Sequence, residues 1–473
     1  MSETPGTRRE RDTMGEMVVP LDALYGASTQ RAVLNFPISG LRMPRRFIWA
    51  LGTIKQGAAV VNRDLGLLDP RLAEAIARAA VEVADGRFDD QFPIDVFQTG
   101  SGTSTNTNAN EVIANRASQI LGGEVGKNRL IHPNDHVNLG QSSNDVIPSA
   151  LHLSALAALR EDLLPALERL ESTLTAKSRE FWSIIKTGRT HLQDATPIRL
   201  GQEFLGFAGQ VERARRRLTR GEADLLELAL GGTAVGTGIN THPEFAGRTC
   251  AWISANTGLL VAETTNHFQA QSTLDGVVAF SGAVRSTAIS LMKIANDIRF
   301  LGSGPRAGLG ELRLPEVQPG SSIMPGKINP VIAESLIQVA AQVIGDDAAI
   351  AVAGQGSYFE LNVMMPVAAL NLLQEITLLG RVAGNFADQC VVGITATNRG
   401  PELLEKGLAI GTALAPVVGY DRAAAIAKEA AATGQTIREV ARIRTDLTDA
   451  DLDRLLDPEK MVQPGVGGGP SGG

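Results

Sequence analysis

The sequence predicts a mainly α-helical protein organised around long helices, and three observations carry that reading. Hydrophobic residues make up 44% of the 473 residues, yet aromatics only 4%, with 50 glycines and abundant alanine. Alanine costs least in a helix and lets helices approach closely, whereas sheets favour β-branched and aromatic residues. Apolar residues recur at spacings of three and four over long stretches, which is the period of a helix face. Cap residues and glycine stops punctuate the chain where those stretches begin and end.

In the first third, Asp69 followed by Pro70 forms an N-cap and first-turn pair, and Gly86 closes the predicted helix Arg71–Asp85. A second helix is expected from about Asn110 until Gly122 and Gly123 stop it. Two segments dense in small polar residues, Gln98 to Asn110 and His132 to Asp145, read as loops. In the middle, Leu156, Leu159, Leu163, Leu167, Leu170 and Leu174 form one stripe, and Leu200, Phe204, Phe207, Val211, Ala214 and Leu218 a second. Val277, Phe280, Val284, Ala288, Leu291 and Ile298 form a third; Ile332, Leu336, Val339 and Val343 a fourth. A fifth segment runs from about Leu361 to Cys390, with a kink expected at Pro366. Five such rods with mixed spacing pack as a bundle. Near the end, Asp421 is expected to cap Arg422–Ala432 and Gly434 to stop it, while Thr436 with Glu439 and Thr448 with Asp451 have the form of capping boxes. The chain thus reads as three domains: a mixed, mainly helical one over 1–141, a long-helix bundle over 142–366, and a small helical one over 367–473 ending in a flexible Gly-rich tail.

Forty-four Lys and Arg against 51 Asp and Glu leave a net charge of -7. A nucleic-acid partner would need a strong local basic patch against that field, and the one tight run, Arg213 to Arg217, lies in a helical pattern. Cys250 and Cys390 are too few for a disulfide framework or a cysteine zinc site. Met1 to Glu16 is polar, and the uncharged stretches Leu361 to Gln374 and Gly407 to Tyr420 are too short to span a bilayer. The expectation is a cytoplasmic protein with no membrane partner.

Five segments break the helical rhythm and are crowded with polar groups: Thr99-Gly-Ser-Gly-Thr-Ser-Thr-Asn106, His132-Pro-Asn-Asp135, Gln141-Ser-Ser-Asn-Asp145, Gly188-Arg-Thr-His-Leu-Gln-Asp194 and Gly320-Ser-Ser-Ile-Met-Pro-Gly-Lys-Ile-Asn-Pro330. Taken singly, each is ordinary capping, His191 a hydrogen-bonded structural histidine and Lys327 a solvated charge. Together they describe helix starts meeting round a small anion, since hydroxyls, amides and a helix N-terminus all favour negative charge. Asn106 and the pair Asn144–Asp145 are placed just before helices, and Asn329–Pro330 is read as the cap of the fourth rod. The segment from Gly320 to Lys327 is not a phosphate loop, because five residues separate the glycines and Ile328 follows the lysine. The Gly231 to Gly238 run lacks dinucleotide-binding spacing. His132 and His136 stand four apart, but Pro133 between them argues against a shared helical face and a metal site.

These segments, with Phe97-Gln-Thr-Gly-Ser-Gly-Thr103 and Gly231-Gly-Thr-Ala-Val-Gly-Thr-Gly238, resemble the fumarase/aspartase superfamily, whose signature loop is matched by Gly320 to Pro330. From about Asp12 through Met461 the chain resembles class II fumarate hydratase. The resemblance implies a homotetramer whose long helices form a twenty-helix core, with each active site shared among three subunits. It implies reversible hydration of fumarate to (S)-malate by anti addition, without metal or organic cofactor, the partner being a small dicarboxylate substrate. Ser321 is implied as the base at malate C3, with Lys327 and Asn329 as donors to the aci-carboxylate that results. His191, oriented by Glu334 of another subunit, is implied to manage water at C2. Ser101, Thr103, Ser142, Ser143, Asn144 and Thr190 would hold the carboxylates and hydroxyl, and Arg129, His132, Asn134 and Asp135 match an accessory dicarboxylate site. Ser143, Asn240-Thr-His-Pro-Glu244 and Tyr358-Phe-Glu-Leu-Asn362 look like fumarase. His136, and Asn266-His-Phe-Gln269 in place of Asn-Lys-Phe-Glu, depart from that pattern, His136 toward aspartases. The alternatives are aspartate ammonia-lyase, the same elimination with ammonia leaving, and a structural homologue without catalysis.

Overall fold

The computed structural model describes residues 6–464; the end of the glycine-rich tail lies outside them. The chain is mainly helical, and among the described residues every sheet is a two-stranded pair. It divides into two compact units, one of Met1–Pro165, Ala214–Ala288 and Val339–Arg381, the other of Ala166–Arg213, Ile289–Gln338 and Val382–Gly473. The divisions fall inside long helices, so each unit holds a segment of them.

In the first unit, the hairpin Thr7–Asp12 with Gly15–Pro20 precedes four helices, Arg45–Asp64, Pro70–Ala84, Thr103–Ile120 and Ser143–Ala158, besides the short Ala27–Asn35. Asp69 caps as expected, its carboxylate accepting from the N–H groups of Arg71 and Leu72 at 2.9 and 3.1 Å. Gly52 lets the first two of the four helices touch, since a Cβ there would lie 2.8 Å from Ala80 O. Two expectations fail here. Asn144 and Asp145 lie inside Ser143–Ala158 rather than before it. The second predicted helix starts at Thr103, not Asn110, so Asn106 lies inside it. Its first turns are poor helix formers whose amides are used elsewhere: Asn106 and Asn110 both donate to Asn138 Oδ1 at 3.2 Å, and Asn108 to Gln91 O at 2.9 Å. Tertiary hydrogen bonds override the local preference.

The first three long stripes are buried over their whole length. The first runs through Ser143–Ala158 and Leu164–Glu180, joined by a π-turn at Leu159–Leu163 just before Pro165. In the fourth, Leu336 and Val343 are buried as expected, but the other two positions move by one residue: Ala333 and Ala340 are buried, while Ile332 and Val339 are half-buried. Small alanines fill the buried line, so the bulkier residues misled the pattern. Pro366 kinks nothing, being the second residue of Met365–Gln389. Asn329 does not cap Val331–Gly354 with its side chain, which donates instead to Gly320 O at 2.6 Å.

In the second unit, the C-terminal helices Tyr420–Thr433, Ile437–Arg444 and Asp449–Leu455 close over Leu414, Ile426, Val440 and Leu452. Both expected capping boxes form, each with its two reciprocal bonds. Asp421 is not a cap, because the helix opens at Tyr420 after Gly419, two residues before the expected start.

Candidate active site

Five of the sequence-predicted residues come together at two helix starts of the first unit. Ser142 is the N-cap of Ser143–Ala158, in a capping box with Asp145: Asp145 Oδ1 accepts from Ser142 N at 2.9 Å, and Ser142 Oγ from Asn144 N at 3.2 Å. Thr103, the first residue of its helix, sits 2.7 Å from Ser143 Oγ and 2.8 Å from Ser101 Oγ, which makes a chain of three hydroxyls. Gly100 permits this, since a Cβ there would strike Val363 O, and its own carbonyl accepts from Met365 N at 3.0 Å. Asn144 donates to Ala234 O at 2.8 Å. These hydroxyls and amide, at the positive ends of two helices, suit an oxyanion.

Behind them stand groups to which the sequence reading gave no role. Buried Asp145 also accepts from the N–H groups of Gly231 and Thr233 at 3.1 and 2.9 Å, so the glycine-rich run wraps onto this carboxylate. Burial pushes its carboxyl up to about 6, against the pull of those backbone donors and of Lys55. Lys55, fully buried, donates to Asn138 Oδ1 at 2.8 Å and Gln141 Oε1 at 3.0 Å, and burial brings its ammonium down to about 7. The signal was present in the sequence only as a lysine within an apolar helical run, which snorkelling would ordinarily explain.

In the same unit, His132 caps the π-turn Pro133–Val137, its Nδ1 accepting from Asp135 N at 3.1 Å. Asn134 and Asp135 are exposed on that turn, and Arg129 faces buried Glu10 at 3.4 Å.

The second unit holds the other predicted residues. Thr190 and His191 stand at the tip of the hairpin Ile185–Thr190 with Gln193–Arg199, where Thr190 pairs with Gln193. The two turn residues, His191 and Leu192, both have positive φ, 57° and 60°. Two-residue hairpins demand that conformation, normally of Asn-Gly, so keeping His and Leu there costs backbone strain. The signature loop folds on itself. Ser321 Oγ accepts from Ile323 N at 3.3 Å and Met324 N at 3.1 Å, while Lys327 donates to Asn329 Oδ1. Two N–H dipoles aimed at one serine oxygen stabilise negative charge on it. Glu334 lies in the first turn of Val331–Gly354, and no hydrogen bond joins it to His191 within this chain among the described residues.

The fold and these loops define a helical lyase. The sequence model of the lyase family matches residues 15–345, and that of the fumarase C C-terminus matches residues 410–463. Fumarate hydratase class II of Methylorubrum extorquens is 51% identical over 459 residues, covering 97% of each chain. The mitochondrial fumarate hydratase of Homo sapiens is 51% identical, covering 98% of this chain and 91% of the human one. The crystal structure of a class II fumarase from Schistosoma mansoni superimposes with a TM-score of 0.94 at 38% identity, over 96% of this chain and 99% of that one. The chain belongs to the class II fumarate hydratase family.

Proposed function

We propose that the chain catalyses reversible anti hydration of fumarate to (S)-malate through an aci-carboxylate intermediate. The observation that carries this reading is the signature loop, where backbone N–H groups already point at Ser321 Oγ. Serine is a weak base, and it removes a carbon-bound proton only where its alkoxide is stabilised in this way. Ser321 takes the proton from malate C3, Lys327 and Asn329 donate to the doubly charged carboxylate that forms, and His191, oriented by Glu334 of another subunit, handles the water at C2. Ser101, Thr103, Ser142, Ser143, Asn144 and Thr190 hold the two carboxylates and the hydroxyl; Arg129, His132, Asn134 and Asp135 form an accessory site for the same class of ligand. Relatives at about half identity over nearly the whole chain bear the name fumarate hydratase, which supports hydration over deamination. His136, the residue that most suggested an aspartase, has a local role: its Nδ1 accepts from His132 N at 3.0 Å.

The active form on this reading is a homotetramer. Helices Asp275–Leu301 and Val331–Gly354 are apolar enough to cross a membrane by length and composition, yet only 44% and 39% of their apolar windows are buried in the single chain. Their exposed residues, including Ile289, Phe300, Ile344 and Val352, are read as contacts with further copies. Light scattering should give about four times 49.9 kDa. Supplying L-malate or L-aspartate and following the ultraviolet absorbance of fumarate tests the reaction, with absorbance expected from malate alone. Absorbance from aspartate and none from malate would overturn it.

A further inference from the structure

Beneath the His191 hairpin lies a set of charges that the proposed chemistry does not use. Glu311 and Lys186 have side chains only 1% exposed, and Arg189 and Glu203 complete the group. Arg189 donates to Glu311 Oε1, and Lys186 donates to Glu203 Oε1 at 2.8 Å. Lys186 Nζ also stands 2.9 Å from Glu311 Oε2, near enough for ion pairing but off the angle of a directed hydrogen bond.

The strand is built to make this possible. Residues 186 and 189 are three apart, and in a regular strand they would point to opposite faces. A bulge between Thr187 and Arg189 shifts the register by which the strand pairs with its partner, and both cations reach one carboxylate. Gly188 at the bulge admits no side chain, since its Cβ would lie 2.5 Å from Thr196 O. Glu311 is fixed from its other side by its backbone: its N–H donates to Leu301 O at 2.8 Å, and its carbonyl accepts from Thr397 N at 3.0 Å. It immediately precedes strand Leu312–Arg313, which pairs with Thr395–Ala396, and the chain continues from there into the signature loop. A buried ionic set is an expensive way to fill a core, and apolar residues would serve stability at least as well. Its value lies in direction, because an ion pair holds a register that apolar packing leaves loose.

We propose that Glu311 is a positioning residue for the reaction: by gripping Arg189 and Lys186 it fixes the hairpin whose tip presents Thr190 and His191, and ties that hairpin to the strand leading into the signature loop. This rests on the functional reading above. Of the six side chains read as holding substrate only Thr190 rides on this hairpin, and the five at the helix starts of the first unit have hydrogen bonds of their own, so its loss shows in turnover more than in binding.

The test is Glu311→Gln in the full-length protein, which keeps the shape and removes the charge. Its kcat for fumarate hydration should fall about tenfold or more while KM stays within about threefold, because misplacing a reacting group by a fraction of an ångström costs rate steeply. Arg189→Met, which leaves Lys186 facing Glu311, should show the same split and carries the test should Glu311→Gln fail to fold. A kcat within twofold of wild type in a folded variant overturns the proposal, as does a loss shared equally with KM. The wild type is assayed in parallel: if it is inert toward fumarate and malate, both readings fall, whereas an active wild type with unaffected variants removes the positioning role alone.

Discussion

Replacing Lys55 with methionine converts a buried charge into a pH-dependent stability difference whose size and sign follow from the structure. Burial brings the Lys55 ammonium from its ordinary 10.5 down to about 7. In the unfolded chain the lysine keeps its proton up to the ordinary value, so between about 7 and 10.5 the unfolded state binds more protons, and wild-type stability rises with pH. At about 1.4 kcal/mol per pH unit, the whole interval is worth roughly 5 kcal/mol as a ceiling. Below pH 7 both states are protonated, and the folded state bears the full cost of the buried ammonium. Lys55→Met abolishes this dependence and leaves Gln141 Oε1 without its donor, a constant penalty of about 1–3 kcal/mol. Asn138 Oδ1 retains Asn106 and Asn110. Thermal denaturation of both proteins at pH 7, 8, 9 and 10 should therefore show the variant losing ground steadily as pH rises. In the wild type Asp145, raised to about 6, makes stability fall as pH climbs from about 4 to 6, below this window; removing the Lys55 charge raises that carboxyl further in the variant and adds to its loss as pH rises. A melting difference that is flat from pH 7 to 10 would refute the reasoning.

Two further outcomes follow from the same geometry. Ser321→Ala should reduce turnover by about 10²–10⁴-fold with the oligomer intact by light scattering, since it removes the oxygen at which two backbone N–H groups point. Thr103→Val breaks the hydroxyl chain from Ser101 to Ser143 and should raise KM for fumarate about tenfold with a smaller change in kcat, measured by initial rates.

Much of this was legible in the chain because long helices leave a strong period. The first three stripes were read residue by residue, and Asp69, Thr436 and Thr448 cap as their neighbours require. The misreadings that bear on the site share a cause. Thr103 to Asn110 looked like a loop because Ser, Thr and Asn compete for the backbone, yet they form helix once Asn138 and Gln91 take their amides. The polar segments of the site were visible as composition, but the carboxylate of Asp145 that anchors one of them needed partners 86 and 88 residues away. Glu311 gave no signal at all: a lone Glu in a short irregular stretch acquires meaning only when the bulge at Gly188 turns two distant cations toward it.

The division of donors bears on how such a site accelerates a reaction. The side chains gathered at the two helix starts of the first unit are neutral: three serine or threonine hydroxyls in a chain, one capping serine and one amide. Substrate and product are both dianions on the proposed reading, so neutral donors hold either without trapping one of them. On that reading the charge that grows is on the carboxylate next to the carbon losing its proton, and Lys327, the cation assigned to the reaction, sits on the loop with Ser321 rather than with the hydroxyls. An interaction that strengthens only as charge develops lowers the barrier, whereas one equal in ground and transition states merely tightens binding. Placing Lys327 on the loop that carries the proposed base, and leaving recognition to dipoles, is what that distinction requires.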